Sequence, residues 1–249
     1  MATFFGKDPT GAVFQEFGPL HFFIIGLLAA CIASTCLCAG RIRRHETLRR
    51  RLPVALGCVA WALLVAYNVW TYVNDLEFIK NLLPLELCSL SLLMTIPLAI
   101  TGSHALFQVY YFFSAGALMA VLFPSFGGYG PTHIRFWHYF YTHSYIIWLN
   151  AYFLSVNRYA LSRYAYAHLL AVVFPLAAIV RVIDMKFGVD YMFLDGPSAT
   201  KSPLDFLGGG VGYFVKLMAL VLGVFFVMYL AAPKDDADRV DKGSYNPTL

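Results

Sequence analysis

Residues 20–40 read LHFFIIGLLAACIASTCLCAG, a stretch without a formally charged side chain. As an α-helix, a run of about 20 apolar residues is long enough to cross the hydrocarbon core of a bilayer, which is about 30 Å thick. Similar runs recur along the chain, in which 59% of the 249 residues are hydrophobic and 13% are charged. This composition predicts a polytopic helical membrane protein and excludes an ordinary soluble domain.

Six further apolar stretches bring the expected fold to an all-α bundle of seven transmembrane helices. The seven expected spans lie near residues 20–40, 53–75, 84–100, 105–123, 136–156, 165–183 and 211–232. Pro53 and Pro84 mark expected helix starts, because proline suits the first turn of a helix. We expect residues 1–233 to form a single transmembrane domain without a cleaved leader. Residues 234–249 are expected to form a disordered tail, because they are charged and lack an apolar period.

Two groups of basic residues predict the orientation of the chain. The first group is expected to form a short loop after the first span and consists of Arg41, Arg43, Arg44, Arg49, Arg50 and Arg51. Arg158 and Arg163 follow the fifth span. The positive-inside rule places both groups in the cytoplasm, with the N-terminus outside and the C-terminus inside. Because these loops account for the net charge of +4, we infer no nucleic-acid partner and expect contact with membrane phospholipids; in a bacterium the membrane would be the plasma membrane.

The stretch LPLELCS, residues 83–89, places a carboxylate and a thiol at the expected start of the third span. If Pro84 is the first helical residue, Cys88 lies one turn inside, near unpaired N–H groups and the positive end of the helix dipole. Both features favour a thiolate. The other cysteines fall in the first two spans, at spacings that fit neither a zinc site nor a redox pair. A lone buried cysteine is commonly a packing residue, and this alternative stays open for Cys88.

Most other ionisable residues in the expected spans fall at the same outer end of the bundle. His143 lies about 10 Å deep at 1.5 Å per residue, close to the expected depth of Cys88, so the two can form a base and nucleophile pair. Ionisable groups inside a membrane bundle are functional candidates. Binding or supporting roles are predicted for His21, Glu86, His138, Arg181, Asp184, Asp190 and Tyr191.

Simpler interpretations accompany several of these residues. His21 and His138 suit anchoring at the lipid headgroups, and Arg181 and Asp184 can neutralise each other at a spacing of three. Glu86 points about 200° round the helix from Cys88 and is therefore not its direct partner.

Short motifs in a fixed order resemble those of the YwaF-like integral membrane proteins. The motifs are FGPLH at 17–21, LPLELC at 83–88, HS at 143–144, DYMFL at 190–194 with Pro197, and LDFLG at 204–208. A related eukaryotic transmembrane protein is a phospholipid acyltransferase that uses a cysteine and a histidine. The resemblance therefore implies Cys88 as acyl-accepting nucleophile and His143 as base. Two positions depart from the pattern, since many relatives have histidine in place of Glu86 and asparagine in place of Asp190.

These observations favour a membrane lipid acyltransferase or phospholipid hydrolase that works through an acyl thioester, without a metal or other cofactor. Two alternatives from other classes stay open. A transporter or ligand-binding membrane protein would use the same polar residues to line a site or a pathway. A structural partner subunit would need no chemistry of its own.

Overall fold

The computed structural model describes residues 4–7, 13–74, 76, 83–197 and 203–235. Its α-helices are α1 (Pro19–Arg44), α2 (Glu46–Val73), α3 (Leu87–Thr101), α4 (His104–Leu122), α5 (Ile134–Ser155), α6 (Ala165–Phe187) and α7 (Val211–Ala231). Two short 3-10 helices, η1 (Tyr191–Phe193) and η2 (Pro203–Leu207), lie between α6 and α7. Five helices, α1, α2, α4, α6 and α7, are long and apolar enough to cross a membrane. The predicted all-helical, multi-pass architecture is confirmed.

Helix α5 is the central helix of the bundle and packs against α1, α2, α3 and α4. Its 22 residues span about 33 Å at 1.5 Å per residue, enough to cross a bilayer core. Surrounded by protein on most sides, α5 can carry several polar side chains without exposing them to lipid. Helix α6 packs on α4 and α7, outside this central group.

The arginine-rich segment is helical, so the prediction of a loop there was wrong. Helix α1 ends at Arg44 and α2 begins at Glu46, which leaves His45 alone between them. Glu46 and Arg50 form an ion pair of 2.8 Å one turn apart, a spacing that favours helix over loop.

Pro53 lies inside α2 and does not start it. Because proline has no N–H, the carbonyl of Arg49 one turn earlier lacks its usual helical donor. The Tyr152 hydroxyl of α5 donates to that carbonyl at 2.8 Å, and the Tyr145 hydroxyl donates to the Pro53 carbonyl at 2.7 Å. These two hydrogen bonds at the proline therefore connect α2 to α5.

Helix α3 begins at Leu87, three residues later than predicted from Pro84. Glu86 is its N-cap residue, with extended backbone angles (φ −69°, ψ 147°), and Pro84 lies in the segment that leads into the helix. Cys88 is thus the second helical residue and lies nearer the helix mouth than expected. The 15 residues of α3 span only about 22 Å at 1.5 Å per residue.

The ends of the helices form two opposite faces of the bundle. At one of them, Tyr152 contacts the start of α2, the Tyr159 hydroxyl donates to the Gly102 carbonyl at 2.5 Å, and Leu161 pairs with residues 233–235. We call this the arginine end, and the opposite face, where α1, α3 and α5 begin, the Cys88 end. Lys234 and Asp235 are thus held against Leu161, whereas the rest of the predicted disordered tail, 236–249, lies outside the described residues. Which end faces the cytoplasm stays a prediction.

Candidate functional site

The imidazole of His143 is held in one orientation by its own helix. Its Nδ1 lies 2.6 Å from the carbonyl oxygen of Tyr139, one turn earlier in α5. A carbonyl only accepts hydrogen bonds, so in the neutral ring Nδ1 carries the proton and Nε2 keeps its lone pair. The side chain is 8% exposed. His143 thus has the tautomer that a general base needs, with Nε2 as the basic atom.

Cys88 lies on α3, which packs directly against both α4 and α5. A Cβ added to Gly116 of α4 would lie 3.2 Å from Leu87 Cβ and 3.4 Å from the Cys88 nitrogen, so this glycine allows the first turn of α3 to approach closely. Among the described residues Cys88 and His143 do not share a hydrogen bond, and Tyr139 is the residue that links their surroundings.

Tyr139 also joins α5 to the end of α4. Its hydroxyl donates to the Ala120 carbonyl at 2.9 Å and accepts the Ser125 N–H at 3.3 Å, while its carbonyl holds His143. This single tyrosine therefore sets the position of the imidazole relative to α4, and α4 in turn carries the glycine under Cys88. Sequence reasoning missed this residue, because nothing in the local pattern distinguishes Tyr139 from its aromatic neighbours.

His138 lies one turn nearer the Cys88 end on the same helix. Its ring stacks on Tyr67 of α2, with centroids 4.2 Å apart and planes 2° from parallel. It lies within electrostatic range of His143 and of Arg135. His138 and Arg135 thus both contact Tyr67 of α2, whereas His143 lies about 140° round the helix axis from His138. Arg135 was not among the predicted site residues.

The acids predicted to support the site have a different set of partners. Glu86 Oε2 accepts the N–H of Met192 at 3.0 Å, and Asp184 Oδ1 accepts the N–H of Tyr191 at 3.0 Å. Both carboxylates therefore hold the backbone of η1 against the start of α3 and the end of α6. This agrees with the expectation that Glu86 does not pair with Cys88.

The backbone held in this way is strained. Met192 and Phe193 have φ angles of 57° and 56°, in the left-handed region that L-residues other than glycine rarely adopt. Asp190 Oδ1 accepts the N–H of Asp195 at 3.0 Å, and Arg181 forms an ion pair with the same Asp195. The predicted neutralisation of Arg181 by Asp184 is thus replaced by a pair with a residue of the loop.

Two further groups in this region have particular environments. Burial raises the pKa of the Asp190 carboxyl above its ordinary value. Asp184 is 1% exposed, and its Oδ2 has no hydrogen-bond partner among the described residues. Together these contacts make residues 190–195 a folded element joined to α3 and α6, and we call it the 190–195 segment.

His21 is fully buried at the start of α1, and both of its ring nitrogens are bonded to backbone. Its Nδ1 accepts the N–H of Phe17 at 3.0 Å, and its Nε2 donates to the Val121 carbonyl of α4 at 2.7 Å. This arrangement fixes the tautomer and leaves no nitrogen for a substrate. His21 therefore acts as a structural link between α1 and α4.

Within the described residues, His, Cys, Asp and Glu side chains form no group of three or more that could hold a metal ion. All five cysteines are free, with Cys31, Cys36 and Cys58 exposed on helices that face the bundle periphery. The polar side chains described above at the Cys88 end include a thiol, imidazoles, hydroxyls and a guanidinium.

Comparison with known proteins gives one relationship. No curated protein and no solved structure matches the chain. The model of the TMEM164 family matches residues 16–229, which include α1 to α6 and all but the last two residues of α7. The narrower resemblance to YwaF-like proteins is finer than this match and stays a prediction. Because the match covers well over half of the sequence, the chain belongs to the TMEM164 family.

Proposed function

We propose that this multi-pass membrane protein is a lipid acyltransferase, or a phospholipid hydrolase, in which Cys88 carries the acyl group and His143 moves the proton. The observation that carries the proposal is the tautomer of His143. Its Nδ1 is bound to the Tyr139 carbonyl, so that Nε2 is the basic nitrogen, on a helix that packs against the helix of Cys88. Covalent catalysis needs the nucleophile and the base within hydrogen-bond reach, and adjoining helices allow the two side chains to approach each other.

The first half of the reaction transfers the acyl group from lipid to protein. Nε2 of His143 takes the thiol proton as Sγ of Cys88 attacks the carbonyl carbon of a glycerolipid ester. The ester C–O bond then breaks, and the leaving alkoxide receives the proton from Nε2. The products are a lysolipid and an acyl thioester on Cys88.

The second half regenerates the thiol. The hydroxyl of an acceptor lysolipid, or of water, gives its proton to Nε2 and attacks the thioester carbonyl. The C–S bond breaks, and the sulfur takes the proton back. A lysolipid acceptor makes the outcome acyl transfer and water makes it hydrolysis.

A transporter has less support, because the half of the bundle at the arginine end is closely packed. Leu98, Phe107, Tyr110, Leu149 and Tyr152 come from α3, α4 and α5 and are each 0% exposed. Large apolar and aromatic side chains at these positions oppose a polar route from the Cys88 end to the arginine end.

Labelling with an acyl-labelled phospholipid tests the proposal. Purified protein in detergent micelles is expected to gain an acyl adduct, detected by intact-protein mass spectrometry and removed by hydroxylamine. Cys88→Ala is expected to lose the adduct. The matched control Cys58→Ala removes an exposed cysteine of α2 and is expected to label as the wild type does. Equal labelling of Cys88→Ala and wild type would show that Cys88 is not the acyl acceptor.

The rate of adduct formation tests the role of His143 as the base. His143→Gln is expected to slow adduct formation by about 10²- to 10⁴-fold, the usual contribution of a general base. His168→Gln changes an exposed histidine of α6 and serves as the matched control. An unchanged rate in His143→Gln would assign the proton transfer to another group.

A further inference from the structure

Arg135 has an unusual environment in the first turn of α5. Its Cζ lies 5.3 Å from the ring centroid of Tyr129, 5.7 Å from that of Tyr67 and 6.0 Å from that of Trp70. Rings from α2 and from the loop before α5 thus surround one guanidinium on three sides. Cation–π contacts of this kind stabilise the positive charge, but the rings do not replace the oxygen acceptors that the guanidinium N–H groups prefer.

The guanidinium has no anion of its own in the described part of the chain. No carboxylate there pairs with Arg135, and its side-chain N–H groups have no acceptor among those residues. The side chain is only half-buried, so these donors can be reached from outside the bundle. By contrast, Arg181 at the same end of the bundle pairs with Asp195. An arginine held by aromatic rings with its donors unused is suited to bind a planar pair of oxygens.

Arg135 lies on the same helix as the proposed base, nearer the Cys88 end of the bundle. Residues 135, 139 and 143 follow each other at one-turn intervals, so Arg135 lies about 12 Å from His143 along the axis, on the side of the bundle end. In a bilayer the phosphate of a phospholipid lies closer to water than its ester bonds. Along α5 the guanidinium of Arg135 lies nearer the bundle end and the imidazole of His143 lies deeper. The phosphate and the ester bonds of a phospholipid follow each other in the same sequence of depths.

We propose that Arg135 binds the phosphate of a glycerophospholipid and thereby positions the ester for Cys88. The inference rests on the proposed function and adds the residue that selects a phosphate headgroup over a neutral glycerolipid. Arg135 is thus a positioning residue for the headgroup, and it takes no part in proton transfer. The aromatic rings of Tyr67, Trp70 and Tyr129 hold it in place.

The test compares binding of two lipids that differ only in the headgroup. Full-length protein in detergent is mixed with phosphatidylcholine and diacylglycerol of identical chains, and native mass spectrometry measures the ratio retained. Wild type is expected to prefer phosphatidylcholine. Arg135→Gln is expected to reduce that preference about tenfold or more, since a charge-assisted hydrogen bond contributes about 1.5–3 kcal/mol and each 1.4 kcal/mol is tenfold.

The matched control is Arg163→Gln. Arg163 also contacts an aromatic ring, that of Tyr164 at 4.8 Å, but lies at the arginine end, so its loss is expected to leave the preference unchanged. Should Arg135→Gln fail to fold, Arg135→Lys keeps the charge but loses the two-pronged geometry, and its preference is expected to fall severalfold. An unchanged preference in the folded Gln or Lys variant would overturn the proposal.

Two further arms separate a lipid headgroup from a soluble phosphate, and headgroup binding from acylation. Displacement of phosphatidylcholine by an excess of inorganic phosphate would identify a soluble phosphate ligand and overturn the assignment to a lipid. Cys88→Ala is expected to keep the full headgroup preference, because binding needs no covalent step. Failure of the acyl-adduct experiment would therefore count against Cys88 alone, whereas failure of the headgroup experiment would count against Arg135.

Discussion

Removing the Glu86 carboxylate tests how the 190–195 segment is held. In Glu86→Ala the N–H of Met192 loses its acceptor, which lies 3.0 Å away in the structure. A hydrogen bond to a charged group contributes about 1.5–3 kcal/mol. Glu86 is only half-buried, so we take the lower end of that range. A loss of about 1.5 kcal/mol raises the population of the locally opened segment roughly tenfold.

The strained backbone of Met192 and Phe193 makes the 190–195 segment sensitive to the loss of the Glu86 hydrogen bond. Met192 and Phe193 both have left-handed backbone angles, each of which costs about 1–2 kcal/mol in an L-residue. The carboxylates of Glu86 and Asp184 together contribute about 3–6 kcal/mol at 1.5–3 kcal/mol each, which is enough to offset that strain. With one carboxylate removed, the remaining stabilisation only about equals the strain.

Hydrogen–deuterium exchange with peptide resolution provides the measurement. Peptides that cover residues 190–195 are expected to exchange about tenfold faster in Glu86→Ala, and less fast in Glu86→Gln, which keeps a neutral acceptor. Glu46→Ala, which removes an exposed ion pair with Arg50, is expected to leave those peptides unchanged. If exchange of the segment in Glu86→Ala equals that of wild type, the carboxylate does not hold it and the prediction is wrong.

Three other substitutions have defined outcomes. Gly116→Ala places a methyl group against the first turn of α3, so it is expected to lower the free energy of unfolding by about 1–3 kcal/mol and to slow acylation of Cys88. Thermal unfolding and the rate of adduct formation measure the two effects. Gly26→Ala is the control, because the space around Gly26 is open. His21→Ala leaves an N–H and a carbonyl without partners and is expected to cost about 2–4 kcal/mol in the same unfolding assay. For Asp190, a folded-state pKa raised by burial means that stability falls as pH rises from about 3.9, the unfolded value, through the folded value. Asp190→Asn is expected to remove that slope, and equal slopes in both proteins would contradict it.

Sequence patterns located the helices well where the signal was local. Six of the seven predicted spans both begin and end within a few residues of the observed helices, because apolar length and terminal glycine or proline can be recognised along the chain itself. The errors occurred at Pro53 and Pro84, each taken as a helix start. A proline inside α2 is tolerated because Tyr152, about a hundred residues away, supplies the missing hydrogen bond. No local pattern carries that information.

The candidate site was predicted in part for the same reason. The expected depth of Cys88 and His143 comes from counting residues along two spans. Helices α3 and α5 are in contact, and the pairing of the two side chains stays a prediction. The hydrogen-bond partners of Glu86 and His21 could not be predicted from the sequence, because each side chain is bound to the backbone of a segment that is distant in sequence. Arg135 was missed for a related reason. Its aromatic surroundings come from α2 and from the loop before α5, which only folding brings together.

The sequence by itself determined that this chain crosses a membrane several times as helices, since hydrophobic length is a local property and the bilayer leaves few other structures possible. The tertiary structure decided which polar groups remain available for chemistry. Hydrogen bonds depend on the rotation and neighbours of each helix, so they turned His21 and Glu86 into structural links. Nε2 of His143 and the guanidinium of Arg135 have no hydrogen-bond partner among the described residues, and these are the groups that we propose to act on a lipid.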